Sequence, residues 1–154
     1  MPEDTREGSD SRCCQPDGAP YRWLDAQNPN DPAIAQLEAW LATLGAFARD
    51  HELGEIDDLF EAAALGKLWD SGDETTPLKP IRTDPDVYEL RRKALSKHLR
   101  FYHGEPPRYA QILVKLHRHI KVDDESQQVE IDKAVAIYRP HVPPSEEAEA
   151  APAA

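Results

Sequence analysis

Apolar and polar residues alternate most clearly between Tyr109 and Lys121. One parity carries apolar side chains, namely Ala110, Ile112, Val114, Leu116 and Ile120. The other parity is polar and mostly cationic, with Gln111, Lys115, His117, His119 and Lys121. Side chains of a β-strand point to opposite faces with a period of two. The pattern therefore predicts a strand with one buried face and one cationic face.

A spacing of three and four residues predicts two helices upstream of this strand. Asp31 is suited to cap the first helix, with Pro32 in its first turn. Its apolar positions are Ile34, Leu37, Leu41, Leu44 and Ala48. The second helix starts at about Glu52, ends near Gly66, and has apolar positions Ile56, Leu59, Phe60 and Ala63. We expect the two helices to form an antiparallel hairpin.

Short strand signals flank the hairpin. Tyr21–Ala26 is a short first strand, and Asp86–Leu95 and Lys97–Gly104 precede the Tyr109–Val122 strand in an antiparallel meander. A last helix begins with Asp124 as its cap, carries the stripe Ile131, Ala134, Val135 and Tyr138, and ends before Pro140. The predicted class is α+β: a small antiparallel sheet packed against the helical hairpin and a C-terminal helix. Helices on the apolar side of the meander would leave its cationic side open.

Composition divides the chain of 154 residues into three parts. We expect a disordered leader at 1–20, a folded domain at 21–142, and a disordered acidic tail at 143–154. Neither a secretory signal nor an apolar run of about 20 residues is present in the sequence. Adjacent cysteines, Cys13 and Cys14, rarely meet disulfide geometry, which favours a reducing cytoplasmic location. A redox or metal role for these two thiols is the alternative.

Charge is distributed unevenly along a chain whose formal net charge is −11. Residues 1–76 hold 17 acidic and 5 basic side chains, whereas residues 77–142 hold 13 basic and 9 acidic ones. The second region also contains five of the six histidines. Only this second region is therefore suited to contact a polyanion.

A series of short motifs in the second region resembles the RelE/HigB-type toxins of type II toxin–antitoxin modules, within the RelE/ParE superfamily. The matching pieces, in order, are Leu78–Lys79, Tyr88–Arg91, Arg100–Phe101, Leu113–Lys121 and Glu130–Ala134. The first strand and the two upstream helices also follow the order of that family, so the resemblance spans roughly residues 21–141. It implies a ribosome-dependent mRNA endonuclease, or mRNA interferase, that works without metal or other cofactor and is silenced by a cognate antitoxin.

Such an enzyme must deprotonate the 2′-hydroxyl of the RNA, stabilise a phosphorane, and protonate the leaving oxygen. The resemblance assigns these catalytic roles to Arg91, Lys121, Tyr138 and His141. Arg92 is the reserve for Arg91, because sequence alone does not show which parity of that strand faces the open side. The predicted RNA-binding residues are Lys97, Arg100, Lys115, His117 and His119.

Two other functions remain open from the sequence, a ParE-like inhibitor of DNA gyrase and a non-catalytic interaction protein on the same fold. The acidic run Asp123–Glu125 beside the predicted RNA site argues against catalysis, because it raises the cost of bringing in phosphate. A metal held by His117 and His119 with His98 or His103 is not predicted, since no third ligand has convincing spacing.

Overall fold

A computed structural model describes residues 8–141 of the chain, except for the side chains of Pro140 and His141. Its single sheet has five strands in the spatial order β1-β5-β4-β3-β2. The strands are β1 (Arg22–Asp25), β2 (Leu78–Pro80), β3 (Val87–Ala94), β4 (Lys97–Gly104) and β5 (Ile112–Lys121). The helices are α1 (Pro32–Thr43), α2 (Ala46–Ala64) and α3 (Asp124–His141). The predicted α+β class is confirmed.

Two details of the sheet differ from the prediction. β1 runs parallel to β5, whereas every other pair of neighbouring strands is antiparallel. β2 extends the meander at the opposite edge and lies in a segment for which the sequence pattern predicts no strand. Three residues containing a proline give almost no period-two signal, so β2 becomes visible only through its pairing with β3.

The turn between the two helices of the hairpin comes earlier in the chain than the apolar spacing indicated. Asp31 accepts a hydrogen bond from the Ala33 backbone N–H, and Pro32 occupies the first helical position, as predicted. Leu44 and Gly45 then adopt extended backbone angles, so α2 begins at Ala46 and not at Glu52. Ala48, assigned from its spacing to the first helix, belongs to α2.

Both faces of the sheet are covered by helices, which overturns the expectation of one open cationic face. α1 and α2 pack on one face, around Leu37, Phe60 and Phe101. α3 packs on the other face, around Tyr102, Leu116 and further apolar residues. The buried core therefore has two layers, one on each side of the meander.

A β-bulge in β5 explains why the alternation was misleading. Tyr102 pairs with His117 and His103 pairs with Lys115, so Leu116 is the extra residue on β5. An extra residue reverses the assignment of every later side chain to a face. Leu116 and His117 consequently both face α3, and the side chain of Arg118 turns to the hairpin side.

The predicted leader is partly structured. Residues Gly8–Asp10 and Arg12–Cys14 form two short 3₁₀ turns, and Cys13 is completely buried. The guanidinium of Arg12 donates to the backbone carbonyls of Pro106, Tyr109 and Ile112, which ties this segment to the loop between β4 and β5. Polar composition suggested disorder, but these long-range hydrogen bonds satisfy the segment's polar groups. Residues 1–7 and the predicted tail lie outside the described part of the chain.

The last helix is bounded close to its predicted limits. Asp123, one residue before the predicted cap Asp124, accepts a hydrogen bond from the Ser126 backbone N–H at 2.7 Å. α3 continues through Pro140 to His141, because a proline so near the end removes little of the helical hydrogen bonding. None of the described helices is both long enough and apolar enough to cross a membrane.

Candidate functional site

Three rows of polar side chains cross the face of the sheet on which α3 packs. The strand register places Lys79, Glu89, Tyr102 and His117 in the first row. The second row is Arg91, Arg100 and His119, and the third is Lys93, His98 and Lys121. The helix covers only part of this surface, so the rows divide into a covered region and an open one.

The covered cluster consists of Glu89, Tyr102, His117 and His119 beneath α3. Nε2 of His117 lies 2.6 Å from Oε1 of Glu130, and Nε2 of His119 lies 2.8 Å from the Tyr102 hydroxyl. The Gln127 amide donates to both Glu89 and Tyr102 at 3.1 Å. Helix side chains thus provide hydrogen-bond partners for polar groups that have little contact with water.

Burial also sets the protonation of this cluster. The pKa of His119 is lowered to about 4, mainly by desolvation; Glu130 opposes this shift, and the neighbouring His117 and Arg100 contribute to it. The pKa of the Tyr102 hydroxyl is raised, first by burial and then by Glu89. Both groups are therefore neutral near pH 7 and are poorly suited to exchange protons with an external substrate.

The open region, called here the basic floor, is formed by Lys79, Arg91, His98, Arg100 and Lys121. These five side chains come from four adjacent strands and line one groove of about 610 Å³. The groove opens beyond the first turn of α3 and is reached from solvent, since Lys79 and His98 are exposed. Its position follows directly from the strand register and the end of the covering helix.

Two arginines face each other directly on the floor. Arg91 on β3 is paired in register with Arg100 on β4, and like charges placed directly opposite each other repel. Glu89 lies between them, with Oε2 at 2.6 Å from Nε of Arg91 and 3.6 Å from Nε of Arg100. One carboxylate thus faces two guanidinium groups.

Arg100 is the less satisfied of the two arginines. It is 8% exposed, and its buried Nε has no hydrogen-bond partner within the part of the chain that the structure describes. Desolvation lowers the pKa of its guanidinium, and the positive charge of Arg91 adds to this effect. An anion bound in the groove would supply both the missing charge and the missing hydrogen-bond acceptor.

Carboxylates form the rim of the same groove. They are Asp73, Glu74, Asp123 and Asp124. Asp73 accepts hydrogen bonds from Ser71 and Thr75 within its own loop, and Asp123 caps α3. Asp124 pairs with Lys121 at 2.8 Å, although its side chain is 95% exposed. Two residues of the acidic run seen in the sequence, Asp123 and Asp124, therefore lie on the rim of the groove, and Asp124 binds one lysine of the basic floor.

The structure brings together three of the predicted site residues, Arg91, Arg100 and Lys121, in this groove. Arg92, the reserve, points to the other face, where its guanidinium pairs with Glu52 at 2.7 Å. The strand parity that the sequence left open is thereby decided in favour of Arg91.

Four predicted RNA-binding residues lie elsewhere. His117 and His119 are buried in the covered cluster at 1% and 4% exposure. The Lys115 ammonium lies 4.8 Å from the centre of the Phe60 ring, on the hairpin face. Lys97 begins β4 on the same parity as the hairpin-facing Leu99, away from the groove. The prediction of an open cationic face was wrong because the bulge in β5 changes which face its side chains lie on and because α3 packs over part of that face.

Tyr138, one of the two predicted catalytic residues at the end of α3, also lies outside the groove. The Tyr138 hydroxyl donates to Asp86 at 2.9 Å, and its ring is buried beside Gly104. Gly104 pairs with Val87, four residues along β3 from Arg91, which corresponds to roughly 13 Å. Burial and the bond to Asp86 raise the pKa of Tyr138. The side chain of His141 lies outside the described residues.

Lys79 and His98 were missed as site residues, although the sequence carried a signal for His98. Leu95 has a positive φ of 57° and forms, with Ser96, a two-residue connection between β3 and β4. A two-residue turn fixes the hairpin register, which places Lys93 opposite His98 and Arg91 opposite Arg100. Pairing the strands in this way would have found His98, whereas finding Lys79 requires the position of β2.

Comparison of the chain with family models, with curated proteins and with solved structures found no match. The chemistry of the groove therefore has to be argued from its own residues. A floor of fixed guanidinium and ammonium groups is suited to hold a phosphodiester and to stabilise extra negative charge on it. His98, exposed and directly opposite Lys121 across the strand pair, adds an imidazole to this floor.

Proposed function

We propose that the chain is an RNA-cleaving toxin of the RelE/HigB type, with the basic floor as its active site. The observation that carries this proposal is the opposed pair Arg91 and Arg100, which face one carboxylate and open into a groove of about 610 Å³. A phosphodiester of single-stranded RNA fits the charge of such a floor. The order of strands and helices also agrees with the order that the resemblance implies.

The residues of the floor divide the work of RNA cleavage. Arg91 and Arg100 hold the scissile phosphate, and Lys121 stabilises the additional charge of the phosphorane. His98 exchanges protons with the attacking 2′-hydroxyl or the leaving 5′-oxygen, since it is the exposed imidazole that lines the groove. These assignments keep Arg91, Arg100 and Lys121 from the sequence prediction and add His98.

The partners follow from the same proposal. The substrate is mRNA on the ribosome in the cytoplasm, and a cognate antitoxin silences the toxin. An acidic antitoxin segment lying over the basic floor would neutralise its charge in place of RNA. The acidic rim then favours a substrate that is already positioned by the ribosome over free RNA in solution.

Induction of the chain alone in bacterial cells, with mapping of mRNA 5′ ends, tests this function. We expect growth arrest and new 5′ ends within coding regions. Lys121→Ala and His98→Ala each remove a group acting in the reaction and should reduce cleavage by about 10²–10⁴-fold. Lys97→Ala removes a cation from the same sheet outside the groove and should leave cleavage unchanged.

Three further results sharpen or contradict the proposal. Tyr138→Phe and His141→Ala test the catalytic roles that the resemblance assigned at the end of α3, and loss of activity in both would move the active site there. An unmodified chain that neither arrests growth nor changes any mRNA end would contradict RNA cleavage. Arrest with intact mRNA and inhibited DNA supercoiling would instead support the gyrase-inhibitor alternative.

A further inference from the structure

A second polar cluster lies on the hairpin side of the sheet, where β4 ends. It consists of Cys13 from the N-terminal turn, His103 near the end of β4, and Glu105 immediately after that strand. All three are buried, at 0%, 1% and 7% exposure. The cluster joins segments about 90 residues apart in sequence, and the proposed RNA chemistry does not use it.

The three side chains converge on one point. Sγ of Cys13 lies 3.5 Å from Nε2 of His103 and 3.9 Å from Oε2 of Glu105, and that oxygen lies 2.8 Å from the same Nε2. In a catalytic triad, the nucleophile contacts one ring nitrogen of the histidine and the carboxylate accepts a hydrogen bond from the other. Here Nδ1 is buried without a hydrogen-bond partner among the described residues. The arrangement therefore suits a shared ligand better than an activated thiol.

The separations between these atoms are close to those that zinc would impose. Tetrahedral zinc with Zn–S of about 2.3 Å and Zn–N or Zn–O of about 2.0–2.1 Å requires S···N and S···O of about 3.6 Å and N···O of about 3.4 Å. The structure has 3.5, 3.9 and 2.8 Å for the corresponding pairs. Shifts of about half an ångström in the carboxylate would bring all three into that geometry.

We propose that Cys13, His103 and Glu105 bind one Zn²⁺ ion that fastens the N-terminal segment to the sheet. The hydroxyl of Ser11, which donates to Oε2 of Glu105, is the candidate for the fourth position. Zinc binds the deprotonated thiol, so binding releases the proton of the Cys13 thiol to solvent and metal affinity rises with pH. Thiolate, imidazole and carboxylate together form a ligand set that zinc accepts.

A comparison with another cluster supports this choice. Asp31, His117 and Glu130 also approach one another closely, but the Lys133 ammonium lies 3.2 Å from Asp31 and 3.1 Å from Glu130. The Lys133 ammonium therefore already occupies the position beside these two carboxylates that a metal ion would take. In the Cys–His–Glu cluster, by contrast, the nearby Arg12 directs its guanidinium to backbone carbonyls.

The site by itself disfavours the charged form of its thiol. Burial raises the pKa of the Cys13 thiol well above its usual value, and the charge of Glu105 raises it further. Burial also acts to raise the pKa of Glu105, but hydrogen bonds from His103, Ser11 and the Arg12 backbone outweigh it and the pKa is lowered. A divalent ion would stabilise the thiolate in a site that otherwise disfavours it.

Titration of the metal-free full-length chain with Co²⁺, followed by competition with Zn²⁺, tests the site. We expect one Co²⁺ per chain, a thiolate-to-cobalt charge-transfer band in the near ultraviolet, and loss of that band when zinc is added. Cys13→Ser should remove the band and weaken binding by at least about 10–100-fold. Cys14→Ser is the matched control, because the Cys14 thiol donates to the Gly8 carbonyl outside the cluster, and it should keep the band.

Thermal unfolding provides an independent readout. Zinc should raise the Tm of the unmodified chain and of Cys14→Ser, but not that of Glu105→Gln, because a ligand that binds only the folded state stabilises it. If Cys13→Ser fails to fold, the spectrum of Cys14→Ser still decides whether the remaining thiol binds the metal. Absence of a cobalt band in the unmodified chain, or its loss in Cys14→Ser, would overturn the proposal.

Discussion

The covered cluster and the basic floor use the same strands and the same face of the sheet, yet they have opposite electrostatic character. Glu89, Tyr102, His117 and His119 lie beneath α3, and side chains of the helix supply their hydrogen bonds. Lys79, Arg91, His98, Arg100 and Lys121 lie beyond the helix and line an open groove. The two regions differ because α3 packs over the first and leaves the second open to solvent.

This comparison shows how burial decides which polar residues are available for function. Desolvation favours the neutral form of a buried imidazole such as His119, whereas a guanidinium that reaches solvent keeps its charge. The histidines that seemed most functional in the sequence therefore contribute to the fold. The cations beside them form the candidate site.

Disrupting the packing of α3 on the sheet should have the largest effect, and this effect is on stability. Ala134 is completely buried in α3, so Ala134→Asp would place a charge between the helix and the sheet. We expect the free energy of unfolding, measured by urea denaturation, to fall by more than about 3 kcal/mol. Val129→Asp is the control, because Val129 is 54% exposed on the same helix. Equal stability of the two variants would show that α3 does not cover the sheet.

Removing charge from the floor should weaken RNA binding without unfolding the protein. Arg100→Met keeps much of the side-chain volume and relieves the repulsion with Arg91. We expect affinity for a single-stranded RNA to fall by about 10–100-fold, as for loss of a charged hydrogen bond. The slope of log affinity against log salt should become shallower by about 0.7 for each phosphate that the variant no longer neutralises. Lys97→Met, on the other face, should change neither quantity.

Acidification should destabilise the covered cluster through His119. Its pKa in the folded protein is lowered to about 4, so this stabilising contribution is present above pH 6.5 and is lost as pH falls from 6.5 towards 4. Between pH 7 and pH 5 the free energy of unfolding should decrease by about 2 kcal/mol from this group. Urea denaturation of His119→Gln at both pH values should show a correspondingly smaller decrease. An identical decrease would assign the effect to other groups.

Releasing Lys121 from the rim should have the smallest effect. Asp124→Asn removes the ion pair that holds this lysine at 2.8 Å. Because the pair is exposed, we expect RNA affinity to rise by only about two- to threefold at low salt, measured by fluorescence anisotropy. Asp132→Asn, at an exposed position further along α3, is the control. A fall in affinity would indicate that Asp124 helps to orient the substrate.

Several parts of the fold were predictable because their signals are local. Asp31 and Pro32 start α1 as expected, and β3 and β4 lie within one residue of their predicted limits. Helix caps and short hairpins depend on neighbouring residues, so their chemistry is readable from the sequence. Arg91 and Lys121 were predicted from their positions in the motifs that carry the resemblance, and Arg100 as a candidate phosphate contact.

The remaining features depend on contacts between distant segments. Leu116 is an ordinary apolar residue in the sequence, but as a bulge it moves His117 and His119 beneath α3. Cys13 lies in a polar segment, yet contacts with His103 and Glu105 bury it. Neither the register nor the burial of a polar residue is encoded by its nearest neighbours.

The sequence by itself determined the α+β class, the order of the main elements and the concentration of basic residues in the second half. Hydrophobic periodicity and local capping carry that information, because they act over a few residues. Only the tertiary structure decided which cations reach solvent, that His119 becomes neutral, and where Cys13 lies. Those outcomes depend on desolvation and strand register, which exist only once distant parts of the chain are packed together.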